Sequence, residues 1–484
     1  MATRPDKGQG RGEAKTHKVA TQMIFLQKTD HAINAHGGLN LIGKLIAKFC
    51  PLERLFAPLR KERSDKFSMC DALKTQLGLI SMGRCQYEDI ESFRATPDQA
   101  KANAGQESFA QSLGTAFVPS EAALRTAMKT LADADGHSIA KLSECSLNIL
   151  KARPIASCMH AGWAYVPCDV DVTCFDNDGS HRENVGRTYH GYDGYAPIMA
   201  YIGAQGYVLD HEMRPGSQHC QKDTPEFLTH MLERLKQIEL KDEVLIRMDS
   251  GNDSADTLAV LRASPHRFLV KRNQRQENPV KWLSHAMAMG APDETPRPGK
   301  QVWLGSVGHL RPGGESGAQE PMNVIYRVTR RSIDKRGQAL LIDEIEVETY
   351  WTNLWQDAGS VVALYHAHGT SEQFHSELKT DMNLERFASH SYAVNSLQLQ
   401  LGTLAYNLVR VVEELAREER SEWPTRIKEV QRRRVGSVIA DLILVAGKIV
   451  RHAGKTVMKL ASSWSWTRVV IAVEQRIQGL RAVS

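Results

Sequence analysis

The stretch WAYVPCDVDVT, residues 163–173, is where the chain changes period. Upstream, apolar residues recur at helical spacing. Here Val170 and Val172 alternate with Asp169, Asp171 and Thr173. A strand sends alternate side chains to one face, so both aspartates project together. Carboxylates in mid-strand are costly to bury unless paired, hydrogen-bonded or bound to a cation. The plainer reading is an edge strand whose polar face meets water.

The pattern downstream decides the fold class. YAPIMAYIGAQGYVLDHEMRPG (195–216) reads as two strands joined at Gln205-Gly206, and DTPEFLTHMLERLKQI (223–238) as an amphipathic helix. DEVLIRMDSG (242–251) is then a buried strand, SADTLAVLRAS (254–264) a helix and HRFLVKRN (266–273) another strand. Three antiparallel strands, a helix, then strand-helix-strand is the order expected of a ribonuclease-H-like sheet. Two Pro/Gly-rich breaks follow, with β-rich stretches between and after them: QVWLGSVGHL, MNVIYRVTRRS and ALLIDEIEVETYWTNL. Upstream, GGLNLIGKLIAKFCPLERLFAPL and the run opened by Pro119-Ser120 read as helical, and from about 360 the chain turns helical again.

The expected fold is therefore α/β. A ribonuclease-H-like catalytic core, a mixed sheet flanked by helices, spans 160–270 and 351–410. A β-rich insertion fills 271–350. A basic flexible arm (1–20) and a helical N-terminal domain (21–155), whose pattern suits a DNA-binding domain and any helical bundle almost equally, precede the core, and a basic helical C-terminal region (411–484) follows it.

Charge points to the class of partner. Residues 423–484 hold twelve Lys+Arg against three Asp+Glu, or +9, so the remainder of this +5 chain is −4. Residues 1–20 add five Lys/Arg against two acids. Basic ends on a slightly acidic body suit a polyanion, most simply nucleic acid; the bland alternative is a pair of solvated tails. No stretch approaches the roughly 18 uninterrupted apolar residues of a membrane span. The N-terminus lacks the apolar segment of a secretory signal. Eight scattered Cys without a CxxC pair argue for reduced thiols and against a zinc finger. A cytoplasmic location is the expectation. His211, His219 and Cys220 could be forced into a metal site but read more simply as surface residues beside a turn.

The second informative stretch is YHAHGTSEQFHSELKTDMN, residues 365–383. Taken as one helix and measured from Tyr365, His368 falls near ~300°, Glu372 near ~340° and Lys379 near ~320°. Glu377 and Asp381 land near ~120° and ~160°, on the far side. A solvated face with i,i+4 charge pairs is the plain reading. The other reading joins Glu372 to Asp171 and to Asp249, which follows the apolar run VLI; for Asp249 alone, capping the next helix is an equal alternative. Three uncompensated carboxylates repel, so they belong together only around hard divalent cations, Mg²⁺ or Mn²⁺. Two such ions about 4 Å apart serve in-line attack on phosphodiesters. Tyr365, His368 and Lys379 would then contact the flanking phosphates.

At these positions the chain resembles DDE transposases of bacterial insertion sequences whose last catalytic helix carries Tyr-x2-Arg-x3-Glu-x6-Lys. It is most similar to the insertion sequence 1380 family. Tyr365-x2-His368-x3-Glu372-x6-Lys379 keeps that spacing. QYEDIESFR, PSEAALR, CDVDVT, HEMRPG, RMDSG and LGTLAYNLVR follow the family in order over most of the chain.

The resemblance implies Asp171, Asp249 and Glu372 as the metal-binding catalytic triad, two Mg²⁺ or Mn²⁺ ions, and a β-rich insertion before the glutamate. Asp169 remains the competitor for the first acid. It further implies a transposase that binds the terminal inverted repeats of its element and cuts and joins double-stranded DNA, at element ends and target, as a homodimer in a synaptic complex. A hairpin intermediate is expected of relatives with this signature. The departure is His368, where the family has an always-charged Arg. Trp303 or Trp351 is a candidate to stabilise a flipped base, with core packing as the simpler role. The rivals are another ribonuclease-H-like nuclease and a catalytically inactive DNA-binding repressor.

Overall fold

The computed structural model describes residues 33–56, 68–94, 103–133, 136–160, 162–312, 319–424 and 430–482. The basic arm 1–20 lies outside the described residues. One mixed sheet of ten strands organises the chain. At its middle is the strand Trp163–Val172, paired antiparallel with Ile198–Ile202 on one side and parallel with Glu243–Met248 on the other. Tyr207–Glu212 closes one edge, and Arg267–Lys271 lies parallel beside 243–248. Val166, Cys168 and Val170 are fully buried in the central strand, as expected where helices cover both faces of parallel pairs. The helices Thr224–Leu235 and Ala255–Ala263 supply the crossovers that parallel strands require.

The β-rich stretches form strands Lys300–Pro312, Gln319–Ile333 and Ala339–Thr352. They are not set apart from the central sheet. Tyr350, Trp351 and Thr352 pair with Lys271, Val270 and Leu269, so the sheet runs on into the insertion. Its outer part has a small core of its own, where helix Pro279–Met289 lays Leu283 and Ala286 on Trp303, Tyr326 and Val328.

The helical parts meet on Tyr392–Glu418, a 27-residue helix buried on nearly every side. Against it pack Leu39–Phe49, Met69–Ile80, Glu121–Ala132 and His137–Ala152 from upstream and Thr467–Gly479 from downstream. One apolar core runs from Leu39 to Ile477, so the N-terminal helices share their interior with the sheet. Among the described residues no helix is long and apolar enough to cross a membrane.

The C-terminal region departs from the helical expectation. Gly447–His452 and Lys455–Leu460 form an antiparallel hairpin. Its two-residue turn has Ala453 at φ 48° and Gly454 at φ 73°, both left-handed, which matches the twist of the flanking strands. Ile449, Val450 and Val457 favour the extended backbone.

Candidate active site

The register of the two central parallel strands builds the site. Val170 lies opposite Met248, so one step further Asp171 stands across from Asp249 at the carboxyl ends of both strands. Two steps back on the same face, Asp169 is paired with Arg247. Arg247 Nε and Nη2 donate to the two Asp169 oxygens at 2.6 and 2.8 Å, and its Nη1 donates to the Leu364 carbonyl at 2.8 Å. His368 Nδ1 lies 2.9 Å from Asp169 Oδ1. Burial would push the Asp169 carboxyl up, but Arg247 and His368 outweigh it and hold it below its usual range. Asp169 is only 3 % exposed. This neutralised cluster forms a floor beneath the strand ends.

Asp171 is half-buried. Its Oδ1 accepts from the Val172 amide at 2.8 Å, and its Oδ2 lies 3.4 Å from His375 Nε2. His375 Nδ1 in turn stands 3.1 Å from the Tyr201 hydroxyl. Asp249 Oδ1 accepts from Asn252 Nδ2 at 2.6 Å. Burial first, and then the charge of Asp171, raise the Asp249 carboxyl above its usual range; Asn252 offsets part of this. Asp249 stands at the N-cap position of the short 3₁₀ turn Ser250–Asn252 without a side-chain cap bond there, and the α-helix Ala255–Ala263 is capped by Ser254, which accepts from Thr257 N.

The 365–383 stretch is not the single helix assumed from its spacing. An α-helix ends at His366, a 3₁₀ turn covers Ala367–Gly369, a second α-helix runs Thr370–Ser376, and a π turn covers Glu377–Asp381. Gly369, Thr370 and Ser371 are weak helix formers that favour such a break. Tyr365 packs on Tyr350 at 4.7 Å between centroids. Burial first, then the charges of Asp249 and Asp171, raise its hydroxyl above the ordinary range. His368 is buried on Asp169, so its imidazole faces a carboxylate rather than solvent; burial lowers its pKa, and Asp169 overrides this to leave it raised. Burial lowers Lys379, against the charges of Glu385, Cys174 and Asp171; its Nζ sits 5.8 Å from the Phe175 ring centroid, just past the Asp171 strand.

The structure thus gathers Asp171, Asp249, Tyr365, His368 and Lys379 around one strand end. Glu372 is exposed on the 370–376 helix. Among the described residues, no three His, Cys, Asp or Glu side chains stand close enough to hold one metal ion. The donor set nevertheless suits a hard divalent cation. Two facing carboxylates, one raised by burial and by its neighbour's charge, are an arrangement that a cation relieves. His219 and Cys220 flank the turn near Asp249, with Cys220 Sγ donating to the Gly251 carbonyl, while His211 packs against Thr403.

Spacing alone missed several residues. His375 falls near ~280° on the same helical wheel, at the margin of the arc holding His368 and Lys379. Arg247 carries no local signal, because its role depends on strand register. In the basic run Arg432, Arg433 and Arg434, read as meeting DNA or water, each side chain is paired with an acid of the chain: Arg432 with Glu377 and Arg433 with Asp441, both arginines largely buried, and Arg434 with Asp381 while its side chain is still 41 % exposed. Trp303 and Trp351 are both buried, and Trp351 Nε1 donates to Asp253 Oδ1 at 3.0 Å.

A search of curated proteins finds no match to this chain. Among solved structures, the cryo-EM structure of a piggyBac transposase synaptic complex with hairpin DNA is similar over 93% of this chain and 86% of that one, with 11% identity and a TM-score of 0.39. The family model described as transposase DDE domain, group 1, matches residues 16–482, nearly the full length. On that match, the chain belongs to the DDE transposase domain group 1 family.

Proposed function

We propose that this transposase serves an insertion sequence, binds its terminal inverted repeats, and cuts and joins DNA through a ribonuclease-H-like core with Asp171, Asp249 and Glu372 as catalytic acids. The observation that carries the reading is the meeting of Asp171 and Asp249 at adjacent parallel strand ends. The strand order 207–212, 198–202, 163–172, 243–248, 267–271, antiparallel in its first part and parallel in its last, supports the ribonuclease-H-like assignment. The spacing of Tyr365, His368, Glu372 and Lys379 supports the Tyr-Arg-Glu-Lys group and the insertion sequence 1380 family.

Asp171 and Asp249, with Glu372 from the neighbouring helix, would hold two Mg²⁺ or Mn²⁺ ions. Such ions supply a deprotonated water or 3′-hydroxyl and neutralise the leaving oxygen. The chain's own residues prepare the place. Arg247 and His368 cancel Asp169, so the uncompensated negative charge is concentrated on Asp171 and Asp249. Asn252 and the Val172 amide fix one oxygen of each carboxylate, and Lys379 and Tyr365 form a rim suited to backbone phosphates. The N-terminal helices and basic C-terminal region bind the repeats, and two protomers pair the ends. A hairpin route is the expectation for relatives with this signature.

The test compares the wild-type chain with Asp249→Ala on repeat-end DNA in Mn²⁺. Both should shift the DNA on a gel, and only the wild type should cut it. Wild-type binding without cutting would identify the repressor reading instead. Cutting by Asp249→Ala, or no repeat binding by either, would overturn the proposal.

A further inference from the structure

The rings sought for base stacking, Trp303 and Trp351, are buried; Tyr189, bonded to the residue after Asp171, is exposed. It sits on the tip joining the short strands Gly186–Arg187 and Asp193–Tyr195. The tip is closed by Thr188 N and Oγ1 donating to the Tyr192 carbonyl at 2.9 and 2.8 Å, with Gly191 in the left-handed region at φ 83°. Two hydroxyls tie this tip to the catalytic strand. Tyr189 donates to the Val172 carbonyl at 3.1 Å and Tyr192 to the Cys174 carbonyl at 3.3 Å, one and three residues past Asp171. Between them, the His190 ring lies 4.3 Å from Tyr189 and 5.9 Å from Tyr192 by centroids, nearly parallel to the latter at 10°. Although its hydroxyl is tied down, Tyr189 remains 67 % exposed. Arg187, paired with Asp193 yet largely exposed, flanks the tip with positive charge.

We propose that Tyr189, backed by His190 and Tyr192, is a stacking platform for an unpaired nucleobase of the DNA strand at the cleavage point; this rests on the function proposed above. An aromatic ring fixed by its own hydroxyl loses little freedom when a base stacks on it. Every base offers a π-face, so such a platform tolerates any sequence, and the contact is worth about 1–3 kcal/mol per base. The tip's anchorage to residues 172 and 174 sets the base beside Asp171, and Arg187 stands ready for the adjoining phosphate.

The test uses the full chain and two repeat-end DNAs, one blunt and one ending in an unpaired 2-aminopurine nucleotide. Wild type and Tyr189→Phe should both quench the 2-aminopurine, since both keep the ring. Tyr189→Ala should lose the quenching and bind the unpaired end about 5- to 150-fold more weakly, while binding the blunt end as wild type does. Equal quenching by Tyr189→Ala, or an equal loss on both DNAs, overturns the platform and leaves the transposase reading intact. If the wild type binds neither DNA, both fall together.

Discussion

Arg432 offers a sharp test of whether a residue of the basic 432–434 run serves the interior or DNA. Its Nη1 donates to Glu377 Oε1 at 2.7 Å, its Nη2 to Glu377 Oε2 and to the Tyr406 hydroxyl, and its Nε to the Gln205 carbonyl at 2.9 Å. The guanidinium also lies 4.5 Å from the Phe374 ring centroid. Glu377 is fully buried, and it also accepts from the Tyr406 hydroxyl at 3.2 Å and from Gln373 Nε2 at 3.5 Å. Arg432→Met keeps a stem of similar length on Phe374 but leaves the Glu377 carboxylate buried without its cation. Breaking a buried pair this way costs about 3–5 kcal/mol, against about 0–1 for an exposed pair. Equilibrium urea unfolding should show that loss, and Arg432→Met combined with Glu377→Met should be more stable than Arg432→Met alone. The salt dependence of repeat binding should keep its slope, whereas losing a phosphate contact would lower it by about 0.9. A stability loss below about 1 kcal/mol together with a reduced salt slope would refute the reasoning and make Arg432 a DNA contact.

Further outcomes follow from the same geometry. Asp169→Asn should cost about 3–5 kcal/mol in urea unfolding, because it strands Arg247, whereas Asp171→Asn should change stability by less than about 1 kcal/mol. His36 is buried against Phe93 and Phe109, and burial, with Arg84 nearby, lowers its pKa from 6.5 to about 4. Its unfolded form therefore binds a proton that its folded form refuses. Stability should hold above pH 6.5 and fall between 6.5 and 4 by on the order of 3 kcal/mol, a slope that His36→Leu should remove in urea titrations run across that range. Mn²⁺ at a hundred times its dissociation constant should stabilise the wild type by about 2.7 kcal/mol in the same assay, and Asp249→Asn should abolish that gain.

Local pattern carried the central sheet. Alternation in 163–173 and the apolar runs at 243–248 and 267–271 specify strands because one residue of slip would turn the buried set outward. Alternation could not separate Asp169 from Asp171, which share a face by the same rule. Their surroundings differ through Arg247, the register partner of Asp169, 78 positions away in sequence. The helical wheel for 365–383 assumed a uniform 100° step, which the break at 367–369 and the π turn at 377–381 do not keep. The run 432–434 looked like a polyanion site because its acidic partners, Glu377 and Asp381, come from a distant segment. The 447–460 hairpin did have a local signature, β-branched residues around a Gly turn, but the basic charge of the region drew the reading toward a DNA-binding helical tail.

Glu372 is proposed as the third acid yet stands exposed, outside the Asp171–Asp249 pair, so its substitution is the most direct test. Repeat-end cleavage in Mn²⁺ should be measured for Asp171→Asn, Asp249→Asn and Glu372→Gln, with DNA binding followed in parallel. All three should bind as the wild type does and fail to cut. If Glu372→Gln still cuts at the wild-type rate, the third acid lies elsewhere and the three-carboxylate centre is wrong.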